Sequence, residues 1–345
     1  MLRRLSLFLI LLFLTPTTTK GENPFTDKFP MRILAVGDVM LARGVASICD
    51  TAGDFYPFAG TFDILNDADL LTGNIETTIS NRGIPMEKKY VFRANPEFAN
   101  ILSRVGFDCL TFANNHAFDY GKDAFFDTIR LLEKSGVKVV GAGENIYSML
   151  EPKQLNIKGY IIGFLGFNAT GTNFLGERNW GCAPASKEYI RKAVPSAKQS
   201  CDILIVHFHW GEEDSFLPDE EQIELAHETI ELGADIVIGS HPHRIQPVEF
   251  YKGGIIFYSL GNFIFDQNDF ENNISVIAEI DILPDTAEVR LIPIETISHK
   301  ASPGLAKGEI RNVVLDLLND ISYDFGTEFI EYNGEFMVRE FSSSF

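Results

Sequence analysis

The sequence predicts an α/β fold of two mixed sheets flanked by helices. Three observations carry that prediction. Apolar runs of strand length alternate with amphipathic stretches in the first part of the chain, the pattern of βαβ units and parallel pairing. Further along, pairs of apolar runs meet at tight Lys-Gly turns, which signal antiparallel hairpins. Five apolar runs also end in Asp, Asn, Glu or His, so chemistry collects where α/β sheets bind ligands, outside the carboxyl ends of strands.

The elements follow in order. Residues 32–38 (RILAVGD) and 68–76 (ADLLTGNIE) read as buried strands. A helix over 96–104 leads into a strand over 107–116 (FDCLTFANNH). Residues 123–134 form a helix with Ala124, Thr128, Leu131 and Leu132 on its apolar face. VKVVGAG is a short strand, and QLNIKGYIIGFLGFN is a hairpin around Lys158-Gly159. CDILIVHFHWGEE is a strand that ends in polar groups. The next helix has Pro218 and acids at its start and Gly233 near its stop. A strand over 235–238, a second hairpin turning at 252–254, two strands near 274–283 and 287–294, and a helix over 309–321 complete the pattern.

The formal net charge of −19 argues against general nucleic-acid binding, which needs a basic footprint. It also opposes polyanionic substrates unless a cation or a basic patch reverses the field locally. At the N-terminus, Arg3 and Arg4 precede the apolar LSLFLILLFL and a polar exit. This is the layout of a secretory signal, too short to span a bilayer in the ordinary way. A retained anchor or a buried N-terminal helix are the alternatives. The expected division is therefore residues 1–23 as signal or anchor and 24–345 as one domain. Cys49, Cys109, Cys182 and Cys201 form no C-x-x-C, and Cys109 and Cys201 read as buried strand thiols.

The five strand ends are Asp38; Asn74 and Glu76; Asn114, Asn115 and His116; His207, His209 and Glu212; and His241 and His243. Alone, each has a plainer reading: a turn after Gly37, a helix cap, a structural histidine. Together they make a mixed carboxylate, amide and imidazole set suited to Mn, Fe or Zn. Alternate residues on a strand share a face, so both histidines of HFH and of HPH point one way if extended. Pro242 favours an extended His241. His227 sits in an amphipathic helix beside Ile223, Ala226 and Ile230 and reads as packing. His299 has no context.

The stretches GDVMLARG, GNIETTIS, LTFANNHAFDYG, GAGEN, VHFHWGEE, GSHPHRIQPVEFYKGGIIFYSLGNFIFD and ISYDFGTEF run from about residue 31 to 335. In that order they resemble the bacterial capsule synthesis proteins of the CapA/PgsA type, associated with poly-γ-glutamate, within the calcineurin-like metallophosphoesterases. The resemblance implies a metallophosphatase-like four-layer αββα sandwich and a site for one or two divalent ions. By that pattern Asp38 matches the first aspartate, while Met40 stands in place of a histidine. Asn74 stands in place of the bridging aspartate, and Glu76 supplies a carboxylate instead. Asn115 and His116 match the asparagine and the proton-donor histidine, with Asp119 substituting for the orienting acid that Ala117 lacks. His207 matches the lone histidine, and His241 and His243 match the final pair.

The implied metal ligands are thus Asp38, Asn74, Glu76, Asn115, His207, His241 and His243, with His116 and Asp119 catalytic. Arg43, Arg93, His209 and Glu212 are candidate substrate contacts; Arg93 beside Lys88 and Lys89 also reads as a solvated charge. The expected activity is metal-dependent hydrolysis of a phosphoester or a γ-glutamyl amide in an exported protein, periplasmic or extracellular. The alternative is a non-catalytic, membrane-associated factor that helps a synthase complex assemble or export an anionic polymer. Residues 168–186, rich in Gly and Asn, read as a substrate loop or an ordinary excursion.

Overall fold

The computed structural model describes residues 30–172, 174–175, 179–283, 286–296, 301–332 and 335–340. The expected signal or anchor over 1–23 and His299 lie outside the described residues. Among those described, no helix is long and apolar enough to cross a membrane.

Two large sheets carry the fold. In the first, Met31–Val39 lies parallel to Leu70–Ile75, which continues through Phe107–Thr111 to Lys138–Val140. On its other side Met31–Val39 pairs antiparallel with Ile274–Ile282, and Ala287–Thr296 follows. In the second, Tyr160–Asn168, Ile203–His209, Ile236–Ser240 and Gly254–Phe257 run parallel, with Lys153–Ile157 and Val248–Tyr251 closing antiparallel edges. Both sheets are mixed, as the pattern predicts.

Strand alternation sorts the side chains into layers. Leu34, Val36, Leu71 and Leu110 pack beneath the helices Arg43–Ala52, Phe98–Val105 and Gly121–Ser135. Leu204, Val206 and Val237 do the same under Lys187–Lys198 and Glu220–Glu231. Ile33, Ala35, Ile205 and Ile238 meet between the sheets. The result is helix, sheet, sheet, helix, the four-layer sandwich that the resemblance implies.

Both hairpin turns fall where the Lys-Gly signals place them. Lys158 and Gly159, and Lys252 and Gly253, have the positive φ that two-residue hairpin turns need. Three elements depart from expectation. The strand over 107–116 stops at Thr111, and the chain then turns to deliver His116. The helix Arg43–Ala52 forms where no element is expected, with Val45, Ile48, Cys49 and Ala52 at helical spacing. The hairpin Thr327–Tyr332 with Glu335–Glu340 extends the first sheet. All four cysteines are free; Cys201 is half-buried and lies ahead of its strand rather than in it.

Candidate metal centre

At the carboxyl ends of both sheets, the apolar filling between them gives way to polar groups. Ile203 and Ile205 are followed on the same face by His207 and His209, both fully buried. On the facing sheet Asn74 succeeds Leu70 and Thr72, and the Thr72 hydroxyl reaches His207 Nε2 at 2.9 Å across the gap.

Asp38 reaches this face through a β-bulge. Ala35 pairs with Thr72 but Asp38 pairs with Asn74, so Val36 and Gly37 together oppose Gly73. Strict alternation would put Asp38 with Leu34 and Val36 under the helices; the extra residue turns it inward. Gly37 is required there, because a Cβ would overlap the Gly261 carbonyl oxygen.

Two groups of ligand-bearing atoms result, each within 4.8 Å: Asp38, Glu76 and His209, all buried, and Glu213, His241 and His243, with Glu213 exposed. Asp38 ties them together. Its Oδ1 accepts from Asn74 Nδ2 at 2.7 Å, and its Oδ2 lies 3.3 Å from His243 Nδ1 and accepts the His241 N–H at 3.3 Å. His243 Nδ1 also faces Asn262 Oδ1 at 2.9 Å. The Asn262 amide nitrogen is committed to the Asn272 carbonyl and Gln267, so its oxygen must face the histidine. That leaves His243 Nε2 free, 3.8 Å from Glu76 Oε1.

The electrostatics favour a cation. Burial alone would raise Asp38, but its hydrogen bond and charge interaction with His243, with help from Asn74, bring it below the usual range. Glu76 is pushed well up, by burial and then by the Asp38 charge. Burial lowers His209 strongly and His241 to about 4, so both are neutral imidazoles near pH 7; burial also opposes a charge on His243, but its hydrogen bond and charge interaction with Asp38 raise it. Glu76 Oε1 and His241 Nδ1 are buried with no hydrogen-bond partner. Neutral imidazoles, carboxylates and two unsatisfied buried acceptor positions fit a divalent ion.

His116 stands beside this cluster. Its Nδ1 donates to Asp119 Oδ2 at 2.7 Å, and its ring stacks on Phe92 with centroids 3.9 Å apart. Its Nε2 is 3.8 Å from Glu76 Oε1. Burial lowers its pKa, against the pull of Asp119. Asp119 also accepts the Phe92 N–H at 2.6 Å and pairs with Lys88 at 2.5 Å.

The structure gathers Asp38, Asn74, Glu76, Asn115, His116, Asp119, His209, His241 and His243. Asn115 Oδ1 accepts from His209 Nε2 at 3.0 Å. Within HFH, His209 joins the ligand group, whereas His207 sits deeper, its pKa lowered by burial to about 3 and its Nδ1 unpartnered. Glu213, not Glu212, joins the imidazoles. Arg43 is ion-paired to Asp266 and lies over Phe92, Tyr90 and Phe265. Arg93 stacks on Tyr120 at 4.2 Å, away from these contacts. The expectation of an extended HPH is not met: His241 has φ +100° and His243 φ +60°. The bonds from the His241 N–H to Asp38 and from the Asp214 N–H to the Pro242 carbonyl curl the segment. It brings the rings to 6.0 Å by curvature rather than by alternation. His227 is held by Glu249 at 2.9 Å and stacks on Tyr251. Within residues 168–186, Trp180–Cys182 pairs with Ala142–Gly143.

Sequence reasoning missed Glu213, Asn262 and Phe92. Glu213 is indistinguishable from Glu212 by composition. Asn262 does follow a Gly at the end of an apolar run, the same signal that marked Asp38.

The family model for bacterial capsule synthesis protein PGA_cap matches residues 32–267. The PGA biosynthesis protein CapA of Bacillus subtilis (strain 168) is 31% identical over 334 residues, covering 92% of this chain and 87% of that protein. The capsule biosynthesis protein CapA of Bacillus anthracis is 31% identical over 299 residues, covering 83% and 72%. Among solved structures, TT1561 of Thermus thermophilus aligns with a TM-score of 0.44 at 14% identity, covering 76% of this chain and 98% of that one.

Proposed function

Because the chain belongs to the family of bacterial capsule synthesis proteins, PGA_cap, we propose that it acts in capsule biosynthesis on an anionic γ-glutamyl polymer as an exported, metal-dependent hydrolase. The observation that carries this reading is the meeting of three carboxylates and three imidazoles around unpartnered buried atoms. Glu213, His241 and His243, with Glu76 and Asp38 behind them, are the residues to hold a divalent cation. A cation there supplies Lewis acidity toward an ester or amide oxygen and acidifies water.

The chain's own residues supply the rest. Because Nδ1 of His116 donates to Asp119, Nε2 is the ring position left to exchange a proton: it takes one from water and passes it to the leaving group. Phe92 fixes the ring plane, and Lys88 holds Asp119 in place. Arg43, boxed by three aromatic rings at the same end of the molecule, is the candidate guanidinium for a substrate carboxylate or phosphate. Because Arg43 and Lys88 are each already paired with a carboxylate, attraction of an anionic substrate depends on the cation and on Lys89.

The test is turnover by the cation-loaded full-length protein on p-nitrophenyl phosphoesters and on γ-glutamyl oligomers. His116→Gln should lower kcat by about 10²–10⁴-fold. Absence of cation-dependent turnover on both substrates would sink the hydrolase reading. One observation favours a second reading, a non-catalytic assembly factor at the membrane: Met40 replaces a ligand, and its sulfur accepts the Ala42 N–H inside the core. Co-purification with a membrane synthase, without turnover, would decide for it.

A further inference from the structure

The buried group of Asp38, Glu76 and His209 has an occupant already. The Asn74 amide nitrogen lies 2.7 Å from Asp38 Oδ1, 3.3 Å from Glu76 Oε2 and 3.3 Å from His209 Nδ1. These are hydrogen-bond spacings, well beyond the ~2.0–2.2 Å of coordination. A donor thus stands amid three acceptors, where a cation would have to stand.

The orientation of that amide is fixed from outside. Asn114 Oδ1 accepts the backbone N–H of His116 at 3.0 Å, and Asn114 Nδ2 donates to the Ile75 carbonyl at 2.8 Å. Both partners are backbone groups with only one possible role, so the Asn114 amide cannot be reversed. Its nitrogen also donates to Asn74 Oδ1 at 3.0 Å. Asn74 must therefore present its nitrogen, not its oxygen, to the carboxylates. His209 is held to match, with Nε2 donating to Asn115 Oδ1 and Nδ1 left as an acceptor.

The other group has no such plug. His241 Nδ1 lacks a partner there, His243 Nε2 is free, and the unpartnered Glu76 Oε1 of the first group faces that nitrogen at 3.8 Å. We propose that the centre takes a single divalent cation, at Glu213, His241 and His243, and that the Asn74 carboxamide occupies the second position as a neutral substitute for a cation. This rests on the metal-centre reading and deepens it to a stoichiometry.

The experiment is cation content of the full-length protein after Zn²⁺ loading and dialysis, measured by mass spectrometry, for wild type, Asn74→Asp and Asn74→Asp/His209→Ala. Wild type should hold one equivalent. Asn74→Asp adds a third carboxylate, so it should hold two and return to one when His209 is also removed. Without zinc it should melt below wild type and recover on loading. A second reading needs no variant: in wild type labelled with ¹⁵N-histidine, zinc should shift ring nitrogens of His241 and His243 and leave those of His209 in place. Two equivalents in wild type, a zinc-shifted His209, or an Asn74→Asp protein that folds and still holds one equivalent would each overturn the proposal. No zinc in any of the three proteins would overturn the metal-centre reading along with it, which separates the two failures.

Discussion

Replacing Asp119 tests the shelf on which His116 rests. Asp119 is 1% exposed. Its carboxylate takes up three groups: the Phe92 N–H at 2.6 Å, His116 Nδ1 at 2.7 Å and the Lys88 ammonium at 2.5 Å. Asp119→Ala removes all three acceptor contacts. The Lys88 side chain is a third exposed and can turn to water, so its loss adds little. Phe92 and His116 are buried, and each stranded donor costs about 1–3 kcal/mol. The sum, about 2–6 kcal/mol, brackets the usual cost of breaking a buried ion pair from one side. Asp119→Asn keeps one oxygen for the Phe92 N–H but offers Lys88 an amide in place of a charge, so it should cost about 1–2 kcal/mol. Urea unfolding at pH 7, with slopes compared as well as midpoints, reads these differences. The expected order is wild type, then Asn, then Ala. An alanine variant within about 0.5 kcal/mol of wild type, the range of an ordinary surface change, would refute the reasoning. An Asn variant weaker than Ala would do the same.

Gly37→Ala should cost roughly 1–3 kcal/mol, since its methyl must push the Gly261 carbonyl away; wild-type stability by urea unfolding would show that the bulge has more room. Asp108 and Asp127 should give opposite pH dependences. Burial raises Asp108 to about 6, partly offset by the Leu71 N–H, so the folded state holds the extra proton between about pH 4 and 6. Stability from this residue is present at the acid side and lost as pH rises through about 6, and Asp108→Asn should recover about 1–2 kcal/mol at pH 7. Asp127 is held low, chiefly by its hydrogen bonds from Arg82, then by Arg130 and Ser80. Its contribution is present above about pH 4 and lost as pH falls further into acid, so Asp127→Asn should destabilise at pH 7 and converge with wild type in strong acid. Unfolding midpoints across pH 2–8 would expose either sign as wrong.

Much of this was legible because a buried strand that ends in a polar residue leaves two marks, an apolar run and a sharp break. Asp38, Asn74, His209 and His243 carry both. What periodicity could not convey is local departure from it. Gly37 inside a strand signals a bulge, yet only the pairing shows that the bulge turns Asp38 inward. Pro242 disfavours the helical region for His241 and so predicts an extended HPH pair, but long-range bonds to Asp38 and Asp214 set positive φ instead. Glu213 and Glu212 are neighbours on a loop without periodicity, so only the fold separates them. The helix Arg43–Ala52 does carry helical spacing, at Val45, Ile48, Cys49 and Ala52, but it is only ten residues long and has no side-chain cap to mark its start. The role of Asn262 depends on a partner nineteen residues away.

The most direct test of the central claim is the cation content of the full-length protein beside a His241→Ala/His243→Ala variant. The account predicts that wild type retains stoichiometric Mn, Fe or Zn after dialysis and that the variant loses it while remaining folded. If wild type retains none even after reconstitution, the polar cluster between the sheets is not a metal centre, and the chain is better understood as a scaffold in capsule assembly.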